Sequence, residues 1–523
     1  MATDVQVALR KIASINPSTG EVLREMECAS DADVRQAVAR AHAAQKAWAV
    51  VNFGKRTEIL RNFQQVLHER KTDVARLIAR EAGKPYIEAM LTEVLVVLDA
   101  TRFLIENARS FLREHPLPHG SLAMKTKAGH ILREPRGVIG IVSPWNYPLS
   151  IPAVETLAAI VTGNAVVLKP SEFTSLVGLE FESLLRMAGV PEGVFQVVVG
   201  DGPTGAALLQ SKIDKLFFTG SVPTGKKIAA AAAARLLPVL LELGGKDPMV
   251  VLDDADVDVA SSAAVWGAFM NAGQTCLSVE RCYVHRSLYD RFLDACTEKT
   301  RKLRVGDGQN SETDVGPMIH ERQLRVVESQ VEEAKALGAR VMTGGTRLPD
   351  LGQNFYAPTI LAGVTHRMQI MREETFGPVL PVVPFDSEAE AIALANDSEF
   401  GLAASVWTRN SDRGEAVARQ LIAGTVMVND VISCFGISEA PHGGVKGSGI
   451  GRAHGRHGME EMVRIKYLDV DRMPRVKKLW WYGYGPSFAR HMEGFLDFQF
   501  ARGTGRRLRG ALQSIGLIRD PKM

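Results

Sequence analysis

The stretch FFTGSVPTGKKI, residues 217–228, has the pattern of a buried strand followed by a tight turn and a helix. Gly220 lets the backbone turn sharply, and a helix that begins near Pro223 directs free N–H groups and its positive dipole end at an anion. Gly220 and Gly225 do not make the usual three-glycine dinucleotide fingerprint. A phosphate cradle and a plain strand-to-helix turn are therefore both open at this point.

Short apolar runs that end in Gly or Pro occur on both sides of this stretch and alternate with helical patterns. They are GVIGIVSP (137–144), NAVVLKP (164–170), FQVVVG (195–200), DPMVVL (247–252), RCYVH (281–285), LPVVPF (380–385) and GTVMVN (424–429). Buried strands that alternate with helices are typical of parallel sheets covered on both faces. The sequence therefore predicts an α/β fold with two doubly wound parallel-sheet domains, preceded by helices over 30–48, with Ser30 as the cap, and 56–111.

Two other stretches alternate apolar and polar residues as an exposed strand does. LAMKTKAGHILREPRGV (122–138) does so around Lys-Ala-Gly, which predicts a hairpin arm, and MVRIKYLDV (462–470) does so near the far end. Exposed strands need something to pair with. We therefore expect a small β arm and a homodimer or homotetramer.

The composition bounds the class of protein. A chain of 523 residues predicts two or three domains, and a net charge of +3 gives no reason to expect a nucleic-acid partner. Five scattered cysteines suit a reducing compartment, and neither a signal peptide nor an apolar run of membrane-spanning length is present. We expect a soluble, cytoplasmic protein.

Cys276, in NAGQTC, is a candidate functional residue. Its spacing to Cys282 matches no zinc pattern, so we expect no metal site, and a reducing compartment argues against a disulfide. Cys282 lies in an apolar strand and is expected to pack as a small hydrophobic residue. For Cys276, in a small polar loop, a buried structural thiol and an exposed, reactive nucleophile both remain open.

Other polar residues follow predicted strands. Glu242, in LELGGKDP, is a carboxylate at an apolar strand end, which suits either a general base with a raised pKa or a structural ion pair. Asn146, in SPWNYP, is either an oxyanion donor or a turn residue. In VVLKPSE, Lys169 and Glu172 are placed to contact ribose hydroxyls, or they are ordinary loop charges.

Taken together and in this order, these motifs resemble one family, the aldehyde dehydrogenase superfamily. The matching motifs are PWNYP, GNAVVLKPSE, FTGSVPTG, LELGGKDP, NAGQTC, EETFGPV and PHGGVKGSGIGR, and they cover about residues 16–470. The resemblance implies that Cys276 is the nucleophile. It also implies a Rossmann-like cofactor domain over 1–118 and 138–246, a catalytic domain over 247–450 and an oligomerisation arm over 119–137 and 451–471.

The resemblance also implies a mechanism. The low-pKa thiolate of Cys276 attacks the aldehyde, and the Asn146 side chain and the Cys276 backbone N–H hold the oxyanion of the thiohemiacetal. Hydride leaves for the nicotinamide, and Glu242 activates the water that hydrolyses the thioester to a carboxylic acid. The family's cofactor positions correspond to Trp145, Lys169, Glu172, Gly220, Ser221, Gly225, Glu374 and Phe376. Glu172 would repel a 2′-phosphate and favours NAD, although relatives with this stretch also use NADP.

The substrate is inferred from positions at which this sequence departs from the family pattern. Relatives that take succinate semialdehyde tend to carry arginine at the place of Val154, and Ile151 one turn before it is apolar as well. If these two line the entrance, an apolar tail fits better than an anion. His442 replaces a frequent aromatic residue, and the loop before it is long. We expect medium- or long-chain aliphatic aldehydes, with aromatic aldehydes, semialdehydes, a CoA-acylating variant and a non-catalytic member as alternatives.

The segment 472–523 has no counterpart in the resemblance. It contains eleven Lys and Arg against three Asp and Glu, a net charge of +8, and its aromatic residues lie among the basic ones. That composition suits peripheral contact with a membrane surface. A helix packed on the catalytic domain or over the substrate entrance is the alternative.

Overall fold

The computed structural model describes residues 10–478 and 480–519, with the side chains of 518 and 519 left out. The predictions above that concern residues 1–9, 479 and 520–523 lie outside this range. The chain divides into two compact units. The larger unit runs up to Leu112 and continues over Glu134–Arg464, and the smaller contains Arg113–Arg133 and the residues from Ile465 onward.

The larger unit begins with a hairpin and a group of long helices. Their bounds are β1 Lys11–Ile15, β2 Val22–Glu27, α1 Asp31–Ala49, α2 Phe53–Ala82, α3 Tyr86–Ala89 and α4 Leu95–Leu112, with a π-helical turn at Met90–Val94 between α3 and α4. Ser30 caps α1, as predicted: its side chain accepts from the Asp33 N–H while the Asp33 side chain accepts from the Ser30 N–H.

Next comes a six-stranded sheet with helices on both faces. Its strands are β5 Val138–Val142, β6 Ala165–Lys169, β7 Phe195–Val197, β8 Lys215–Thr219, β9 Val239–Glu242 and the antiparallel edge strand β17 Gly449–Ile450. The connecting helices are α5 Ser150–Val161, α6 Ser175–Met187, α7 Gly202–Gln210 and α8 Val222–Ala233. Separate hydrophobic clusters cover the two faces, which explains why these strands are apolar throughout.

The order of this sheet, β17-β9-β8-β5-β6-β7, determines where a ligand binds. From β5 the chain moves outward through β6 and β7, then returns to the other side of β5 with β8 and β9. The order therefore reverses between β5 and β8, and ligands of open α/β sheets bind at the carboxyl ends of the strands at such a point. The residues that follow β5 and β8 include Trp145, Asn146, Gly220 and Ser221.

A seven-stranded, mostly parallel sheet follows, in the order β12-β13-β14-β11-β10-β15-β16. Its strands are β10 Asp247–Val251, β11 Val279–His285, β12 Arg340–Thr343, β13 Thr359–Ala362, β14 Val379–Phe385, β15 Ala403–Trp407 and β16 Thr425–Val428. Its helices are α9 Val257–Phe269, α10 Arg286–Arg301, α11 Glu321–Ala336, α12 Glu388–Asn396 and α13 Ser411–Ala418, and the short helix α14 Gly455–Glu461 follows later. The prediction of two doubly wound sheets is confirmed.

The connection between the two sheets is short. β9 ends at Glu242 and β10 begins at Asp247, so only four residues join the carboxyl edge of the first sheet to the amino edge of the second. The loop that precedes β11, which contains Cys276, lies at that same amino edge. The topology thus brings the end of β9 and the Cys276 loop to one place.

The smaller unit contains a three-stranded sheet in the order β18-β4-β3 and a helical segment. The strands are β3 His115–Leu117, β4 Lys127–Pro135 and β18 Val463–Asp471, and the helices are α15 Pro486–Phe500, α16 Thr504–Ser514 and α17 Gly516–Arg519. Among the residues described, no helix is both long and apolar enough to cross a bilayer.

The hairpin predicted around Lys-Ala-Gly at 127–129 is wrong. β4 runs straight through these residues and pairs with β3, which precedes it, and with β18. Gly129 does not turn the chain. It makes room for a neighbouring side chain, because a Cβ there would lie 2.9 Å from the ring of Tyr467 on β18. In the sequence, Gly129 has the look of a turn residue, but it lies inside a strand and faces an aromatic side chain of the neighbouring strand.

Candidate active site

The loop NAGQTC owes its shape to a left-handed turn. Asn271, Ala272 and Gly273 have φ angles of 53°, 55° and 70°, a conformation that is unfavourable for the first two residues. Hydrogen bonds hold the turn: the Asn271 N–H donates to the Glu88 carboxylate at 2.8 Å, and the Gln274 side chain donates to the Asn271 carbonyl at 3.0 Å. The motif therefore fixes the backbone that presents the next residues.

Asn146 is fastened to this loop from the other side. Its side-chain Nδ2 donates to the Gln274 carbonyl at 3.1 Å, and its own carbonyl accepts from the Asn271 side chain at 3.1 Å. An amide nitrogen carries two hydrogens, so one N–H of the buried Asn146 side chain is left for a ligand in the cleft. The neighbouring Tyr147 hydroxyl and Thr275 hydroxyl are 2.9 Å apart and add a further link.

Cys276 is partly buried and lies where three cavities meet. A tunnel of about 670 Å³, a cleft of about 770 Å³ and a smaller chamber of about 380 Å³ all have this residue in their walls. Cys282, by contrast, is fully buried in β11, as predicted for a strand residue. The position of Cys276 allows molecules in different cavities to reach one sulfur atom.

The expectation of a low-pKa thiol at Cys276 is wrong for the free protein. Burial raises the pKa of the Cys276 thiol well above its usual range, and the negative charges of Asp247 and Glu242 raise it further. The polar letters of the loop suggested exposure, but the surrounding protein desolvates the thiol. The thiol of the free protein is therefore protonated at neutral pH.

Glu242, at the end of β9, faces the cleft and the chamber. Neither of its carboxylate oxygens has a hydrogen-bond partner among the described residues. Burial raises the pKa of Glu242 well above 4.5, and the nearby Glu155 raises it further while Arg452 lowers it. The carboxyl group is thus desolvated and without a hydrogen-bond partner, and it holds its proton more tightly than an exposed glutamate does.

His442 lies beside Glu242, with 3.6 Å between its Nε2 and the Glu242 Oε2. Burial lowers the pKa of His442 to about 4, so the ring is neutral at pH 7 and forms no ion pair with the carboxylate. His454 lies 5.5 Å from His442, ring centre to ring centre, and the ring of Phe435 packs against both. His442, which replaces an aromatic residue common in the family pattern, thus belongs to the chamber wall.

The cleft extends from Cys276 to the ends of β5 and β8. Eight of the eleven predicted site residues line it. They are Cys276, Trp145, Asn146, Gly220, Ser221, Glu242, Glu374 and Phe376. Ser221 caps α8 without a side-chain hydrogen bond to the backbone of that helix, so the first amides of α8 have no side-chain acceptor. Free amides at a helix end suit a pyrophosphate. The cleft therefore fits a dinucleotide.

Glu374 and Phe376 form one wall of the cleft. The Glu374 carboxylate accepts from the Gly245 N–H at 3.0 Å, and burial raises its pKa to about 8. The Phe376 ring meets the Trp145 ring edge-on, with 5.4 Å between the centroids. Phe376 has a φ of 51°, and Glu280 accepts from its N–H at 2.9 Å, which holds this unfavourable backbone in place.

The remaining three predicted residues are not in the walls of the cleft. Lys169 ends β6 beside Val142 of β5, and its Nζ lies 3.2 Å from the Glu172 carboxylate. Both charges therefore lie at the carboxyl edge of the first sheet, as predicted. Gly225 is buried inside α8.

The tunnel has Cys276 in its wall and is almost entirely apolar. Its walls consist of Leu91, Thr92, Val96, Tyr147, Ile151, Trp266, Met270, Thr275, Cys276, Leu277, Ile432, Ser433, Phe435 and Gly436. None of these carries a charge. Ile151 lines the tunnel, as the sequence suggested, whereas Val154 lines a separate cavity with Phe103 and Met462.

Sequence reasoning missed several buried charged groups around the site. Glu155 lies in the chamber wall, and burial raises its pKa to about 8. Asp247, at the start of β10, is also buried, with its pKa raised well above the usual value. A lone carboxylate within the apolar run SIPAVETLAAIV, the whole of α5, was the signal for Glu155.

The family comparison matches nearly the whole chain. The model of the Aldehyde dehydrogenase family matches residues 5–468. A 4,4'-diapolycopene aldehyde oxidase from Methylomonas sp is 39% identical over 512 residues, 96% of this chain and 94% of that protein. A putative succinate-semialdehyde dehydrogenase [NADP(+)] from Mycolicibacterium smegmatis is 40% identical over 459 residues, 87% of this chain and 88% of that protein.

Solved structures have the same fold. An NAD-dependent aldehyde dehydrogenase from Sinorhizobium meliloti superposes with a TM-score of 0.86 at 38% identity, covering 90% of this chain and 93% of that one. The NAD⁺ complex of an aldehyde dehydrogenase from Bacillus cereus gives a TM-score of 0.84 at 36% identity, covering 88% and 93%.

Proposed function

The chain belongs to the aldehyde dehydrogenase family and is an NAD(P)-dependent enzyme; we propose that its substrates are apolar, medium- or long-chain aliphatic aldehydes, which it oxidises to carboxylic acids. One observation carries the proposal. Cys276 lies in the wall of an uncharged tunnel of about 670 Å³ and at the same time in the wall of the dinucleotide cleft. An apolar tail in the tunnel leaves water, whereas an anionic tail would meet no cation.

In the proposed reaction Cys276 is the nucleophile. Because its thiol is protonated in the free protein, a base has to take the proton before the sulfur attacks the aldehyde carbon, and the unpaired carboxylate of Glu242 is the group in reach of the same chamber. The free N–H of Asn146 and the Cys276 backbone N–H are assigned to the oxyanion of the thiohemiacetal. Loss of one such donor costs about 3–4 kcal/mol of barrier.

The bound nicotinamide supplies the hydride acceptor for the oxidation of the thiohemiacetal. We assign its ribose and ring to Glu374 and Phe376, the pyrophosphate to Gly220, Ser221 and the first amides of α8, and the adenosine ribose to Lys169 and Glu172. Glu172 at that place favours NAD over NADP. Trp145 packs against Phe376 and closes the cleft, and Gly225 allows α8 to approach the sheet.

Hydrolysis of the thioester is the second half of the proposed reaction. Glu242 first passes the thiol proton to solvent and then, as a carboxylate, takes a proton from the water molecule that attacks the thioester carbon. The C–S bond breaks, the Cys276 sulfur recovers that proton, and the acid leaves through the tunnel. A base at this position favours hydrolysis over transfer of the acyl group to CoA. Added CoA is therefore expected to leave the product, a free carboxylic acid, unchanged.

An aldehyde series with both cofactors tests the proposal. Oxidation is followed by NADH or NADPH absorbance with butanal, octanal, dodecanal, benzaldehyde and succinate semialdehyde, and kcat/KM is expected to rise with chain length. Val96→Arg, which puts a cation in the tunnel wall, is expected to lower kcat/KM for dodecanal at least about tenfold and to improve succinate semialdehyde relative to it. Leu95→Arg, on the exposed side of the same helix, is the control.

Succinate semialdehyde is the second candidate, because several relatives are named for it. A higher kcat/KM for succinate semialdehyde than for any apolar aldehyde would replace the proposal with this alternative. A protein that oxidises nothing in the series and is equally inert with aromatic aldehydes would be a non-catalytic member.

We retain as proposals the division into a dinucleotide-binding domain, a catalytic domain and an oligomerisation arm. The arm has an observation in its favour. β18 is an edge strand whose side chains are exposed from its second residue to its eighth. A long exposed edge strand pairs readily with another chain, so we expect a homodimer or homotetramer.

A further inference from the structure

We propose that residues 480–515 form a docking surface for the face of an anionic lipid bilayer. The proposal concerns the smaller unit alone and does not depend on which aldehyde the enzyme oxidises. It is carried by three features of the described residues: apolar stripes on two helices, an exposed aromatic loop and an excess of unpaired positive charge.

The apolar stripes lie on α15 and α16. Leu508, Leu512 and Ile515 recur at intervals of four and three residues, which places them on one face of a helix, and Leu508 and Leu512 are 67% and 70% exposed. On α15, Leu496 and Phe500 share a face for the same reason, and Phe500 is 71% exposed. Large apolar side chains on both helices thus face water.

These side chains are not used to hold the two helices together. α15 and α16 meet at glycines: a Cβ on Gly510 would lie 2.5 Å from the Phe498 backbone nitrogen, and one on Gly494 would lie 2.6 Å from the Gln513 side chain. Because glycine has no side chain, the two helix backbones approach closely at these positions, and the large apolar residues are not needed for the contact. The hairpin is therefore held at one face and presents its apolar stripes elsewhere.

The loop before α15 adds aromatic residues of the type found at membrane interfaces. Trp480, Trp481, Tyr482 and Tyr484 are all exposed, Tyr482 at 94%. Trp and Tyr are amphipathic rings that concentrate at the level of lipid headgroups. Four of them in five residues on the surface of a protein in water would be unfavourable without something to cover them.

Charge identifies the occupant as an anionic surface. The segment 472–523 has a net charge of +8. Among the residues described, its ion pairs are those of Arg506 with Asp497 and of Lys478 with Asp471, so Arg502, Arg507 and Arg509 beside the stripes have no acidic partner there. An apolar face flanked by unpaired arginines matches an acyl layer beneath negative headgroups.

One relative matches more than half of the segment 472–523. The match to the diapolycopene aldehyde oxidase takes in 96% of the chain and so must include more than half of 472–523, whereas a match over 87% can end before it. The family model itself matches residues 5–468 and ends before the segment begins. The segment therefore lies outside the part of the chain that the family model describes.

Vesicle co-sedimentation of the full-length protein, without substrate or cofactor, tests the inference. The protein is expected to sediment with vesicles of phosphatidylcholine and phosphatidylglycerol at 7:3, to bind pure phosphatidylcholine weakly, and to be released by 0.5 M salt. Leu508→Ser with Leu512→Ser is expected to lower the partition coefficient about tenfold or more. Leu236→Ser, at a fully exposed leucine of the larger unit, is the matched control.

Charge reversal separates the electrostatic part. Arg502→Glu with Arg509→Glu is expected to abolish the preference for phosphatidylglycerol, while Lys302→Glu with Arg367→Glu in the larger unit leaves it intact. Equal sedimentation of the wild-type protein with and without vesicles would overturn the inference, as would equal binding by the Leu508→Ser, Leu512→Ser protein. If that variant instead changes only the oligomer mass in light scattering, the face belongs to a second copy of the chain, and the inference is wrong.

Failure here is distinguishable from failure of the proposed function. Vesicle binding is measured without turnover, and the aldehyde series is measured without vesicles. A protein that oxidises dodecanal but ignores anionic vesicles loses the docking surface and keeps the substrate class.

Discussion

At the scale of single residues, the site is dominated by carboxyl groups that have lost their water. Glu242, Glu155 and Asp247 are all buried near Cys276, and each has a raised pKa. Glu155 raises the pKa of Glu242, and Asp247 and Glu242 raise the pKa of the Cys276 thiol, so each of these charges favours the protonated state of its neighbour. Proton transfer between Cys276 and Glu242 is therefore the step that the residues around them control.

Glu242→Gln is expected to slow both halves of the reaction, because Glu242 is assigned to the Cys276 thiol and to the hydrolytic water. An amide of the same size cannot act as a base, so thioester hydrolysis should slow by about 10²- to 10⁴-fold. With enzyme in stoichiometric amount, no NADH burst should appear in the first turnover, and a burst of wild-type rate would leave Glu242 with the hydrolysis step alone. Stopped-flow NADH absorbance measures this; an unchanged steady-state kcat would exclude Glu242 as the base.

Glu155→Gln is expected to shift the acidic limb of the pH–rate profile to lower pH. Glu242 works as a base only when deprotonated. Glu155, whose own pKa is raised to about 8, becomes charged in the upper part of this pH range and raises the pKa of Glu242 there, so its replacement lets Glu242 lose its proton at lower pH. The other groups that face Glu242, namely Arg452, Cys276 and the neutral His442, are unchanged by the substitution. kcat against pH between 5 and 9 checks this, and a limb that stays in place or moves to higher pH contradicts the assignment.

At the scale of elements, the site is built from segments with unfavourable local geometry that tertiary contacts hold in place. The left-handed turn before Cys276 is fixed by Glu88 of α3, and the π-helical turn after α3 places Glu93 inside the protein. Glu93 accepts from Lys84 at 2.7 Å and from the N–H groups of Leu149 and Ser150 at 3.1 and 2.7 Å. This carboxylate thus ties α2's end to the start of α5, beside the tunnel.

Glu93→Ala is expected to destabilise the protein by about 3–5 kcal/mol, because it leaves the fully buried Lys84 ammonium without its carboxylate and removes the acceptor of two backbone N–H groups. A lower urea midpoint with an unchanged slope would show this loss. Glu58→Ala, which removes the exposed partner of Lys55, is the control and should cost less than about 1 kcal/mol. Equal midpoints for the two variants would show that the buried pair has no special weight.

At the scale of the whole molecule, the exposed edge strand of the smaller unit is the feature that calls for another chain. Ile465 of β18 is 70% exposed, and Leu468 and Val470 on the same strand are exposed as well. In most proteins an edge strand with exposed apolar side chains is covered by another segment or another chain. Pairing between copies of this chain is the simplest way to cover it.

Ile465→Lys is therefore expected to weaken the oligomer, since a charge within a strand pair is a common natural barrier to edge pairing. Light scattering on a sizing column should show mass shifting towards the 56.9 kDa monomer at low micromolar concentration. Val259→Lys, at an exposed position of α9, should leave the mass unchanged. A wild-type protein that already runs as a monomer would exclude the assembly.

The sequence by itself determined the alternation of buried strands and helices, the family, and the identity of Cys276, Glu242 and Asn146 as candidates. These follow from local information. Apolar runs predict strands where both faces of a sheet are covered, and a motif such as NAGQTC reflects the backbone conformation that its residues adopt, here a left-handed turn. The strand β11, which contains Cys282, and the capped helix α1 were predicted for the same local reasons.

Only the tertiary structure decided which groups share a cavity and in which direction their pKa values move. Glu155 is far from Glu242 in the chain, Val154 points into a different cavity from Ile151, and Gly129 faces Tyr467 across a sheet instead of turning the chain. The protonated thiol of Cys276 is also a tertiary effect. Desolvation and charge repulsion depend on which atoms surround a group in space, and distant segments of the chain supply those atoms.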